Sequence, residues 1–223
     1  MLLVKVVDGI VTKFPYTPFD LRQDHPNVSF PMIISPETAT NYDAYPVVFQ
    51  DYPTVDERTQ RLIVGVEPVL LDGVWTLTRT VVDKTAEEIV EYDNALATQL
   101  RTHLIEAIDL KTDSIIITSF MFNTQPVRLN DIDQRNFEGE YRQIKDFIED
   151  GVPESSIFPT SFNVWTENDG SPVFLPFTTF AELKNFIYGA KMFIKECLTA
   201  GWVLKSQVCT MPLSELQTWT DPR

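Results

Sequence analysis

The sequence predicts an α+β protein with its strands gathered towards the start and its long helices later. Three observations carry that expectation. Two Asp-Gly dipeptides, at 8–9 and 72–73, each lie between β-rich runs. At Thr85 the spacing of apolar residues changes to a helical period. Prolines crowd the first quarter of the chain, where they remove backbone donors and bias their neighbours away from helix. The chain has 223 residues, 43% hydrophobic and 12% aromatic, which is enough for packed cores without metals or disulfides.

Leu2 to Val7, the turn Asp8-Gly9 and Ile10 to Phe14 read as a hairpin. Seven of the fifteen prolines then fall at 15, 18, 26, 31, 36, 46 and 53, so residues 15–46 are expected to form an ordered extended arm or loop rather than a compact helical domain. Arg61 to Leu71 and Val74 to Val82 flank Asp72-Gly73 as a second hairpin, with Trp75 and Thr78 favouring strand. Residues 1–84 thus read as a small β-module carrying an extended proline-rich arm.

Thr85 and Glu88 have capping-box spacing, and Ile89, Leu96, Leu100, Leu104 and Ile108 recur at helical spacing. A connecting helix over 85–110 follows, packed either on its own chain or on a neighbouring subunit. The remainder, 111–223, reads as a second α+β domain. It opens with a strand from Ser114 to Phe120, then Val127 to Ile132, and a helical segment around Phe137 to Ile148. Phe162 to Thr166 and Pro172 to Leu175 form a hairpin about Glu167 to Ser171. A helix starts between Phe177 and Thr179, with Phe180, Leu183, Ile187, Ala190, Ile194 and Cys197 as its apolar stripe, and Gly201 is placed to break or kink it before Trp202. Pro212 to Gln217 suits a short final helix.

The formal charge of −14 is spread from Asp8 to Asp221 with no cluster of Lys or Arg, which excludes nucleic acid as an expected partner. Acidity of this size serves either solubility or a basic partner. Cys197 and Cys209 stand apart from any histidine, indicating neither a zinc site nor a redox motif, and read as small apolar residues of a reducing compartment. The run Leu2 to Val7 contains Lys5 and meets a turn too early for an export signal, and no apolar run reaches membrane length. A soluble product made in the cytoplasm is expected, with no membrane partner.

Candidate chemistry is sparse. His103 suits a helix face, and His25 precedes Pro26 beside Asp24; neither is assigned a catalytic role. Asp131 and Asp133, following Asn130, are the best metal or acid/base candidates, because alternate positions on an extended segment share a side. The same residues read first as capping and turn formers. Asp146, Glu149 and Asp150 before Gly151 read as a solvated run. Neither phosphate-binding glycine motifs nor a nucleophile elbow occurs. The sequence therefore predicts a non-enzyme with no catalytic, cofactor or metal residues.

The aromatic residues of the arm are the more informative feature. Phe14, Tyr16, Phe19, Phe30, Met32, Tyr42 and Tyr45 lie on a proline-rich extended segment, the pattern used for strand addition or groove docking, and are the candidate partner-binding residues. The competing arrangement is that the arm folds back and buries these rings in its own chain.

The order of three segments resembles the N-terminal module of bacteriophage tail proteins: Asp8-Gly9-Ile10-Val11-Thr12-Lys13-Phe14-Pro15-Tyr16, then Asp20-Leu21-Arg22-Gln23-Asp24-His25-Pro26-Asn27-Val28-Ser29-Phe30-Pro31, then Asp72-Gly73-Val74-Trp75. The likeness covers about residues 8–90. Val127 to Asp133, Trp165 with Asn168-Asp169-Gly170, the helix after Phe177, and Ser214-Glu215-Leu216 resemble more loosely a domain at the C-termini of tail-fibre and fibre-assembly proteins. The resemblance implies a non-enzymatic virion component of the tail, baseplate or tail-fibre attachment region, assembled with other tail, baseplate or fibre proteins into a hetero-oligomer. Two alternatives stand beside it: a tail-fibre assembly chaperone absent from the mature virion, and a polysaccharide hydrolase using Asp131 and Asp133.

Overall fold

The computed structural model describes residues 1–166 and 171–223 and is an α+β structure. The chain divides into two compact units, Met1–Asp93 and Asn94–Arg223.

The first unit contains β1 (Leu3–Val7), β2 (Ile10–Tyr16), α1 (Pro18–Asp24), α2 (Pro36–Thr40), β3 (Ala44–Phe49), β4 (Gln60–Val64), β5 (Val69–Leu71), β6 (Val74–Leu77) and β7 (Arg79–Asp83). Five strands form one sheet in the order β2-β1-β3-β6-β5. Only the β3–β6 pairing is parallel. Both expected hairpins form. Val7 pairs with Ile10 about Asp8 and Gly9 (φ 53° and 79°), and Leu71 pairs with Val74 about Asp72 and Gly73 (φ 49° and 80°). Two successive left-handed residues are what a two-residue turn needs to match strand twist, and Asp-Gly supplies them at low cost.

The long strands expected on either side of Asp72-Gly73 are each divided. β4 pairs with β7 as a separate ribbon, from Gln60↔Asp83 to Val64↔Arg79. The chain leaves that ribbon at Gly65, where a β-carbon would stand 2.8 Å from Thr78 Oγ1, and joins the main sheet only after Pro68. Gly65 and Pro68 are the residues that end one strand before the next begins.

The extended arm is a correction. Residues 15–46 include two short helices, joined by an irregular stretch over 25–35, and lead into β3. Thr17 and Asp20 form a reciprocal capping box that starts α1 at Pro18, and Ser35 caps α2 at Pro36. Proline at a helix's first position has no N–H to lose, so here it initiates helix. The helices close over Leu3, Tyr16, Leu21, Ile34, Ala39 and Ala44, with Phe30 and Tyr42 packed against them.

α3 (Ala86–Thr118) begins in the first unit and continues into the second. Thr85 and Glu88 exchange the expected capping hydrogen bonds, at 2.8 and 3.3 Å. Arg58 holds Asp93 through two 2.8 Å hydrogen bonds, and Arg61 reaches Glu88 at 3.0 Å. The helix runs eight residues past the expected end at 110, so Ser114 to Thr118 are helical and the expected strand shrinks to β8 (Phe120–Phe122). Ile108, Thr112 and Ile116 are buried at four-residue spacing, and that burial outweighs the strand preference of the β-branched run.

The second unit continues with β9 (Gln125–Val127), α4 (Asp131–Glu149), a single 3₁₀ turn at Glu154–Ser156, β10 (Thr160–Thr166), β11 (Pro172–Phe177), α5 (Phe180–Thr210) and α6 (Leu213–Leu216). β10 and β11 pair antiparallel from Thr160↔Phe177 to Thr166↔Pro172. The turn expected between them lies, except for Ser171, outside the described residues. Thr179 caps α5, which passes Gly201 without a break. One core gathers Phe120, Phe137, Phe162, Phe177 and Phe186, with Phe137 stacked on Phe162 at 5.6 Å. A second joins Ala97 and Ile108 of α3 to Val208 of α5 and Leu216 of α6. Within 94–110, Ala97, Leu100, Leu104, Ile105 and Ile108 form the face that joins this core, while Thr98, Thr102, His103 and Glu106 are exposed.

Candidate partner-binding surface

Of the seven anchors read from the sequence, Tyr16 is fully buried at the end of β2. Its hydroxyl donates to Asp24 Oδ2 at 2.9 Å, and the Lys5 ammonium, which pairs with the same carboxylate, lies 5.5 Å from the Tyr16 ring centre. Burial, reinforced by Asp24, raises the phenol far above its ordinary pKa, while the hydrogen bond from Lys5 holds Asp24 below the usual carboxylate value. Phe30 and Tyr42 meet edge to face at 5.0 Å, and the His25 ring stands 4.9 Å from Tyr42. Tyr45, half-buried in β3, sits 6.4 Å from Trp75 of β6, and Phe14 is half-buried in β2. Tyr16 is thus built into the first unit's own core, with Phe30 and Tyr42 partly buried against it.

Phe19 and Met32 differ sharply from these, at 65% and 96% exposed, and Ile33 beside Met32 is 86% exposed. Arg22 brings the segments together. It lies one turn beyond Phe19 on α1, and its Nη2 donates to the carbonyls of Pro31 at 2.8 Å and Met32 at 3.0 Å. A planar guanidinium bridging two carbonyls fixes the backbone that displays Met32 and Ile33. Ile33 and Arg22 were not among the partner-binding candidates read from the sequence. Thr17 and Asp20 have the spacing of a capping box, and reading it as one places Phe19 in the first turn of a helix, one turn before Arg22.

The carboxylate candidates do not converge. Asn130 Oδ1 accepts from the backbone N–H groups of Ile132 and Asp133 at 2.9 and 2.8 Å, which makes it the N-cap of α4. Asp133 is nearly buried and takes Arg128 Nε at 2.6 Å and Nη2 at 3.3 Å, whereas Asp131 is exposed in the same first turn. The extended segment expected here is a helix start, so the alternation that would have placed the pair side by side does not apply. Asp131 borders a groove of about 690 Å³ floored by Ile116, Ile117 and Leu198, with Asp113 and Arg135 on its rim. Asp146, Glu149 and Asp150 are exposed, and Glu149 pairs with Lys145 at 3.3 Å.

His103 is exposed on α3. Cys197 is half-buried, which pushes its thiol upward, and Cys209 is exposed; both are free thiols. Among the described residues no group of three or more His, Cys, Asp or Glu is placed to hold a metal ion, and no helix is long and apolar enough to cross a membrane.

No protein-family model, curated protein or solved structure matches this chain.

Proposed function

We propose that this chain is a protein-binding component of a bacteriophage tail, baseplate or tail-fibre attachment region, acting without catalysis of its own. The observation that carries the binding role is the Phe19, Met32 and Ile33 cluster: three large apolar side chains held in solvent by a backbone that Arg22 fixes. Apolar anchors on a pre-organised backbone lose little conformational freedom when a partner covers them, which is how small patches dominate interfaces. The phage setting draws on the ordered likeness of residues 8–90 to tail-protein modules. The partners are then other tail, baseplate or fibre proteins, and the resting place of the chain is the virion.

Quantitative mass spectrometry of purified particles beside the infected-cell lysate tests this. A fixed number of copies per particle is the expected result. Presence in the lysate with loss from finished particles would replace the structural role with that of an assembly chaperone. Absence from both would remove the virion assignment.

A further inference from the structure

β5 is an edge strand of the five-stranded sheet, and all three of its residues, Val69, Leu70 and Leu71, are exposed. Val64, Val66 and Val74, close in sequence, are exposed as well. Long or apolar sheet edges are ordinarily covered or charged, because their free backbone groups recruit other strands. This one is short, but its residues are exposed and apolar on both faces of the pleat.

The register says which backbone groups are free. Leu71 faces Val74 across a two-residue turn, so these two form the hydrogen-bonded pair that closes the hairpin. Pairs alternate along an antiparallel ladder, which makes Leu70 and Trp75 the non-hydrogen-bonded pair. The N–H and C=O of Leu70 consequently point away from β6, towards the open edge. Pro68, two residues earlier, has no N–H to add, so the edge suits a short docking strand.

Glu67 and Asp72, both exposed, bracket the apolar triplet and select its occupant. In a second copy paired antiparallel about Leu70, each Asp72 would lie opposite the other chain's Pro68, so the pairing would offer neither carboxylate a basic group and would add two acidic flanks to each end of a contact between chains that each carry −14. A strand with lysine or arginine at its flanks meets the same carboxylates favourably. We propose that the β5 edge takes up, by strand addition, a short extended segment of a partner protein with an apolar centre and basic flanks. The inference uses different residues from Phe19 and Met32 and does not depend on the phage assignment.

The test uses the full chain, ¹⁵N-labelled, and three blocked synthetic pentapeptides. The first is Lys-Val-Ile-Val-Lys, the second replaces both lysines with glutamate, and the third is the lysine peptide N-methylated at isoleucine. The lysine peptide is expected to shift the amides of Val69 to Asp72 and to slow solvent exchange at Leu70. The N-methyl and glutamate peptides are each expected to bind about tenfold more weakly. Combining Glu67→Lys with Asp72→Asn, two exposed changes, is expected to reverse the preference between lysine and glutamate peptides. Equal binding of the N-methyl peptide, or unmoved amides at 69–72, would overturn strand addition. Shifts of those amides with protein concentration alone would make a second copy the occupant and overturn the proposed partner.

Discussion

Gly201 of α5 lies so close to Thr112 of α3 that a β-carbon at 201 would stand 2.8 Å from Thr112 Oγ1. The threonine cannot step aside easily. Its hydroxyl donates to the Ile108 carbonyl at 2.7 Å and accepts from Arg223 Nη1 at 2.8 Å. Replacing Gly201 with Ala gains about 1 kcal/mol of helix propensity, but the steric insertion costs about 1–3 kcal/mol. Gly201→Ala is therefore expected to lower the urea midpoint, and part of the loss should vanish when Thr112→Ala is added. A stabilised single variant would show that the two helices separate freely.

The same junction has an acid limit. Arg223 donates to Asp221 through Nε at 3.0 Å and Nη2 at 2.7 Å, and this pairing lowers the Asp221 carboxyl from 3.8 to about 2. A carboxyl with a folded pKa below its unfolded one binds fewer protons when folded. Its stabilisation, about 2 kcal/mol, is present above the unfolded value near pH 4 and is lost as pH falls towards 2. Asp221→Asn should lower stability at pH 7 while reducing the further loss between pH 4 and pH 2. Unfolding curves at those pH values decide it, and a variant with an unaltered pH profile would remove Asp221 from the account.

The parts of the fold legible in the sequence were those written in local chemistry. Asp8-Gly9, Asp72-Gly73 and the Thr85–Glu88 box each formed as their residue types require, because a turn or a cap is decided within a few residues. The residues 114–118 were misleading because three consecutive isoleucines prefer strand locally, while the burial of Ile108, Thr112 and Ile116 is a tertiary effect. The arm failed for a different reason. Proline breaks a helix in its interior but starts one at the first position, and Pro18 and Pro36 each stand there, behind the caps Thr17 and Ser35. The switch from strand to helix between Tyr16 and Phe19 decides which of the two rings is buried: Tyr16 ends β2 inside the core, while Phe19, three residues on, lies exposed in the first turn of α1.

Asp133 and Asp131 offer a contrast within one turn of α4. Asp133→Asn breaks the pairing with Arg128, a charged hydrogen bond that is partly screened because the arginine is 37% exposed. An order-of-magnitude cost of about 1–2 kcal/mol follows. Asp131→Asn, at an exposed position, should change stability by less than about 0.5 kcal/mol. Thermal unfolding of the two variants separates them. If Asp133→Asn were as stable as the parent and removed a measurable glycan-cleaving activity, the carboxylate would be chemical rather than structural.

Tyr16 and Phe19 should behave oppositely when truncated. Tyr16→Ala empties a fully buried site and is expected to cost about 3–5 kcal/mol. Tyr16→Phe keeps the ring and loses only the 2.9 Å hydrogen bond to Asp24, about 1 kcal/mol. Phe19→Ala and Met32→Ala remove side chains already in water, so stability should stay within about 0.5 kcal/mol of the parent. These two are the proposed docking anchors, and their double replacement should release the chain from the proposed tail or fibre partner while the fold persists. Co-purification from particles carrying each variant, read against its urea midpoint, provides the comparison. Retention of the Phe19→Ala/Met32→Ala chain at parental copy number would mean that the partner is held elsewhere, because a folded chain that has lost both exposed anchors would still bind.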